Sequence, residues 1–138
     1  MKVFLSGSKT IHTLPEKLTA LLDSFCVLNC EFLIGDCYGA DILMQRYLNG
    51  KGYPHVTVYV SGEHVRQSVS AYPVRHISVP DGTKGFAVNR QKDIAMVLVC
   101  DEAVMLWDGR TTGTRCNMED IQRLGKQYTV IRIETDKQ

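Results

Sequence analysis

Short runs of β-branched and aromatic residues alternate with stretches of helical period along the chain, and that alternation leaves few folds open. Val3-Phe4-Leu5-Ser6 is a strand-like run that stops at Gly7. Leu14 to Phe25 carries Leu14, Leu18, Leu21, Leu22 and Phe25 at helical spacing, with Pro15 near its start and Thr13 as the expected N-cap. Glu31 to Ile34 reads as a second strand ending at Gly35. Ala40 to Leu48 reads as a second helix, closed by Asn49-Gly50-Lys51-Gly52. His55 to Val60 is a third strand. Later come a helix over Phe86 to Cys100, a strand over Ala103 to Trp107, a helix over Arg115 to Lys126 and a last strand over Thr129 to Ile133. The polar tail, Glu134 to Gln138, is expected to fray. Strands joined by helices run parallel with right-handed crossovers, which covers both faces of the sheet. The expectation is a three-layer Rossmann-like α/β domain over residues 1–138, with a mainly parallel five-stranded sheet in the order 3-2-1-4-5.

The segment Ser61 to Gly85 breaks the rhythm. It holds Gly62, Pro73, Pro80, Gly82 and Gly85 with little periodicity, and only Arg75 to Val79 looks extended. A connection this long in a small domain is usually an active-site flap or a partner-binding insert, with Val65, Val69, Tyr72 and Val74 as its apolar contacts.

Composition narrows the setting. Sixteen Lys and Arg against fifteen Asp and Glu leave a net charge of +1, too little for a long-range field, so neither nucleic acid nor an anionic membrane is expected as a partner. The apolar runs fall well short of the ~18–20 residues that span a bilayer, and the chain opens directly on a strand, so secretion and membrane insertion are not expected. Five cysteines (Cys26, Cys30, Cys37, Cys100, Cys116) with no C-x-x-C pair read as reduced thiols in the cytoplasm. The histidines, His12, His55, His64 and His76, show no metal spacing, and no metal or cofactor is expected.

In an open parallel sheet, ligands bind outside the carboxyl ends of the strands. Three strand ends here release into small glycine-bearing loops: Ser6-Gly7-Ser8-Lys9, Gly35 to Asp41, and Asp108 to Arg115. Glycines admit a ligand close to the backbone, and helix amino ends present free N–H groups and partial positive charge, so the loops suit an anion. Gly113 and Thr114 are expected just before a helical turn, with Gly109, Arg110, Thr111 and Arg115 around them. No G-x-G-x-x-G, P-loop or G-x-S-x-G signature is present.

Taken together, the loops resemble those of the SLOG superfamily, which includes lysine-decarboxylase-like cytokinin-activating phosphoribohydrolases and DNA-processing proteins, and within it a small YspA-like branch. Gly7-Ser8-Lys9 stands where that branch has Gly-Ser-Arg, and Gly35-Asp36-Cys37-Tyr38-Gly39-Ala40-Asp41 where it has a Gly-Gly-Ala-x-Gly-Ala-Asp type of turn. Asn89-Arg90-Gln91-Lys92-Asp93 stands near its Arg-Asn-x-x-Met helix start, and Gly113-Thr114-x-x-Asn117 where it has Gly-Thr-x-x-Asn/Met. The chain departs from the phosphoribohydrolase Pro-Gly-Gly-x-Gly-Thr-x-x-Glu turn, having Trp107-Asp108-Gly109 in front and Asn117 in place of the acid.

The resemblance implies a nucleotide or nucleotide-derived phosphorylated small molecule held at the strand-end edge by a sensor or carrier. An N-glycosidic hydrolase of the phosphoribohydrolase type is one alternative, and an oligomer or partner-docking module using the 61–85 loop another. Catalysis would fall to Asp36 or Asp41, because a carboxylate stabilises an oxocarbenium-like sugar. Asp36 reads as an exposed side chain without structural duty, and Asp41 as a helix N-cap, a ligand contact or both. Arg90 is the preferred cation and Lys9 a second; Trp107 either stacks on a base or closes the core edge.

Overall fold

A computed structural model describes residues 1–134. The elements follow in the order β1 (Lys2–Gly7), α1 (Glu16–Val27), β2 (Glu31–Ile34), α2 (Ala40–Gly50), β3 (Val56–Ser61), β4 (Val74–Ile77), α3 (Phe86–Val99), β5 (Glu102–Trp107), α4 (Thr112–Arg123) and β6 (Gln127–Arg132). They form one six-stranded sheet in the order β4-β3-β2-β1-β5-β6, and every neighbouring pair is parallel. The three-layer Rossmann-like class is as expected.

The strand count is corrected from five to six. The extended stretch inside the 61–85 segment is a true edge strand, with Val58 opposite Val74 and Ser61 opposite Ile77. It is short, bounded by prolines and half solvent-facing, so its sequence carries neither a buried run nor a clean alternation. The other five strands keep their expected order, displaced one place by the newcomer. The β3–β4 crossover has no helix. Its Tyr72 is buried, and Val65, Val69 and Val74 pack against the core beside α1 and α2. The four side chains assigned to an exposed docking surface therefore face inward, where a crossover helix would otherwise lay its apolar stripe.

Alternate residues of the central strands feed two cores. Val3, Leu5, Phe32, Ile34, Val58 and Val60 meet Leu18 and Leu22 of α1 and Met44 and Leu48 of α2. Phe4, Leu33, Tyr59 and Met105 meet Met96 and Val97 of α3 and Ile121 of α4 on the opposite face. With both faces covered, the central strands read as unbroken apolar runs, which makes them legible.

Helix ends differ in detail. Pro15, not Thr13, occupies the N-cap position of α1. The last helix begins at Thr112 rather than Arg115, so Gly113 and Thr114 lie inside its first turn; it ends at Arg123, beyond which Gly125 takes a φ of 68° that other residues rarely adopt. The expected fraying of the tail falls, from residue 135 onward, outside the described residues. Among the described residues, no helix is long and apolar enough to cross a membrane.

Candidate functional site

The loops after β1, β2 and β5 lock onto one another at the carboxyl edge of the sheet. A side chain at Gly7 would put its Cβ 2.3 Å from that of Ala40, so only glycine lets the start of α2 lie against β1. Ala40 N–H donates to the Ser8 carbonyl at 3.2 Å. Gly39, at φ 82°, rests on the Lys9 backbone, which a Cβ would meet at 2.4 Å. On the other side Ser8 N–H donates to the Leu106 carbonyl at 2.9 Å.

Asp108 is the clasp between the first and third loops. Its carboxylate accepts from Thr10 Oγ1 (2.6 Å), Ser8 Oγ (3.2 Å), Arg110 N–H (2.8 Å) and Thr111 N–H (2.9 Å). Its own N–H donates to Ser8 Oγ at 3.0 Å. Burial opposes ionisation, but the four donors outweigh it and hold the carboxyl down to about 2. In sequence this position is only an ordinary Asp-Gly turn, since two of its partners, Ser8 and Thr10, lie about a hundred positions away.

These loops enclose a crevice of about 1100 Å³. Gly7, Ser8 and Lys9 line it, as do Gly35 and Asp41, and Arg110, Thr111, Gly113, Thr114 and Asn117. Five other candidates stand behind its wall. Gly39 supports the Lys9 backbone, and Gly109, at φ 81°, packs its α-carbon against the Arg132 guanidinium. The Trp107 indole N–H donates to the Thr111 carbonyl at 3.1 Å, bracing the loop from outside the crevice.

Arg90 is not a free cation. Its guanidinium donates to Asn117 Oδ1 and Asp120 and sits 3.6 Å from Asp93, in the seam between α3 and α4. Asp36 overturns the exposed-side-chain reading, because it is only 1% exposed and is bound by Arg66 through a 2.8 Å ion pair and a 2.9 Å backbone bond. The partner comes from the long segment, thirty residues on, so nothing local announces it. The capping role read for Asp41 is corrected too. Gly39 holds the N-cap position of α2 without a side-chain cap, and Asp41 Oδ2 instead accepts from the Cys37 N–H behind it at 3.2 Å.

Asp41 nonetheless faces the crevice floor at 6% exposure, and burial pushes its carboxyl up to about 7 against the pull of Lys92. Lys92 is the residue that sequence reasoning misses. It is 5% exposed, donates to Asp93 Oδ1 at 2.7 Å and lines the floor. Burial works against its charge, but Asp93 and Asp41 hold its pKa above the usual lysine value. The available signal is a lysine four residues before Met96, on the buried face of α3.

Two aromatic rings complete the rim: Tyr38 is 54% exposed and Phe86 is 52% exposed. A Cβ at Gly113 would lie 4.0 Å from the Phe86 ring, so this ring stands beside the amino end of α4. That helix has no side-chain cap at Thr111, whose hydroxyl bonds Ser8 instead, so its first amides remain open. Arg66 and His12 also line the crevice.

A doubly covered parallel sheet with glycine loops clasped over its carboxyl edge defines the structural class of this chain. The solved structure of DNA processing protein A from Helicobacter pylori has a similar fold, with a TM-score of 0.70 and 12% identity over 99% of this chain and 67% of that one. That structure is described for a unique single-stranded DNA binding mode. At this identity the likeness shows the fold, and at that level it agrees with the SLOG resemblance. No protein-family model and no curated protein sequence matches the chain.

Two expectations give way to this finding. One is the nucleotide-like small molecule as ligand, with its N-glycosidic and loop-docking alternatives; the other is that nucleic acid is no partner. The physical reason is that net charge averages over the surface. A single strand responds instead to local groups, and Lys9, Arg110 and the exposed Tyr38 and Phe86 rings line the crevice here.

Proposed function

We propose that the crevice binds single-stranded nucleic acid. The observation that carries this reading is the meeting, at one open rim, of the uncapped amino end of α4 with the exposed Phe86 and Tyr38 rings. Backbone phosphates sit against the first amides of α4 and the Thr114 hydroxyl, with Lys9 and Arg110 supplying charge. Unpaired bases stack on the two rings, a contact that tolerates any sequence because every base has a π-face. A duplex keeps its bases inside and offers the rings nothing. We place the chain, as one SLOG-type domain over residues 1–138, in the YspA-like branch. Five free thiols support a cytoplasmic setting.

Anisotropy of a fluorescent twelve-nucleotide single strand, titrated at low salt against the same sequence as a duplex, tests the reading. The single strand is expected to bind more tightly, and Phe86→Ala to weaken it by about 1–3 kcal/mol, the worth of one stacked base. Equal affinity for duplex and single strand, or no binding of either, rejects it.

A further inference from the structure

The crevice floor holds a donor and an acceptor that the phosphate and stacking contacts do not use. A Cβ at Gly35 would lie 2.7 Å from Asp41 Oδ2 and 3.0 Å from Lys92 Nζ, so the missing side chain keeps both polar atoms facing one small space. The two form no ion pair with each other. Lys92 spends one N–H on Asp93 and has two more to give. Asp41 Oδ2 accepts the Cys37 N–H, whereas Oδ1 has no hydrogen-bond partner among the described residues. Among those residues no fully buried side-chain polar atom lacks a partner, so Oδ1 keeps contact with the crevice. A carboxylate more than nine-tenths buried, with one oxygen open to a crevice, is costly unless something docks there.

Resting on the single-strand reading, we infer that Gly35, Asp41 and Lys92 form a base-reading subsite selective for guanine. An unstacked base entering the floor presents its Watson–Crick edge. Guanine offers two adjacent N–H donors, which the Asp41 carboxylate accepts, beside a carbonyl that accepts an N–H from Lys92. Adenine and cytosine offer one amino group beside a ring acceptor, which would face the carboxylate lone pairs. Thymine sets its one N–H between two carbonyls, one of them against Asp41. The titratable and charged groups around Asp41 are Lys92 and Asp93 from α3, Asp36 and the Cys37 thiol from the loop that precedes α2, and Arg66 from the long segment. At pH 8 the Asp41 carboxyl, pushed up to about 7, is mainly ionised.

The test measures anisotropy at pH 8 with thymine-only twelve-mers carrying a single central guanine, adenine, cytosine or inosine. Guanine is expected to bind roughly 10-fold or more tightly than the other natural bases, within the range for one bidentate base contact. Inosine lacks the 2-amino group, and so one of the two donors, and is expected to fall between. In Asp41→Asn, whose amide turns an acceptor into a donor, the guanine-to-adenine ratio is expected to drop to about one whatever the absolute affinity. Equal binding of all strands overturns the subsite and leaves the single-strand reading standing, as does preference for another base. Guanine preference retained with inosine in the unaltered protein, or retained in a folded Asp41→Asn, removes Asp41 from the role. Failure of every strand to bind overturns the single-strand reading and the subsite with it.

Discussion

Asp108 shows how one side chain joins segments that the sequence keeps far apart. Its carboxyl lies at about 2 in the folded chain, below the ordinary 3.8, so it contributes stability above pH 4 that disappears as pH falls through 2. The difference corresponds to about 2 kcal/mol. Asp108→Asn is expected to lose roughly 1–2 kcal/mol at pH 7 in urea unfolding, with the gap from the unaltered protein closing near pH 2. Individual residues are the least legible level of this molecule. Asp36 and Arg90 stand out by their types, but their partners, Arg66 and Asp120, come from other elements, as does Lys92, whose charge acts on Asp41 without pairing with it. A polar side chain buried by distant neighbours looks, in sequence, like one left in water.

The elements are easier to see, because apolar period reports burial directly. Failures come where burial is partial: β4 at the sheet edge, and the ends of α1 and α4. One end is held by a device that no helix pattern shows. Lys126 reaches back from beyond α4 to donate to the carbonyls of Val97 (2.6 Å), Leu98 (2.9 Å) and Cys100 (2.7 Å), so one ammonium satisfies the carboxyl end of α3. Lys126→Met keeps most of the stem and removes the charge. It is expected to cost about 1–2 kcal/mol in thermal or chemical unfolding and to speed amide exchange in the last turn of α3 ahead of the rest of the chain.

At the scale of the whole molecule, a net charge of +1 and the placing of Lys9 and Arg110 at the crevice make opposite suggestions about nucleic acid. The salt dependence of binding discriminates between them, because it counts phosphates neutralised at the crevice rather than charge over the surface. Removing both Lys9 and Arg110 is expected to flatten the plot of log affinity against log salt by about 1.4, that is, about 0.7 for each single-strand phosphate left without its cation. An unchanged slope would mean that these two cations touch no phosphate. Strand order and layers are legible because connection rules leave few topologies open. The use of the sheet edge is less so, since the glycine loops advertise an anion without saying whether it is free or part of a polymer.

The Ser8–Asp108 clasp also bears on when the groove comes into being. Strand β1 is paired by β5, and the first loop is fastened by residues 108 and 111, so both walls depend on the last third of the chain. During synthesis the first hundred residues can collapse around α1 and α2, but they expose one flank of β1 as an open edge and have no finished cleft. A nascent polypeptide stalled before β5 would therefore be sticky, and its cleft would be completed only as β5 and β6 clear the ribosome.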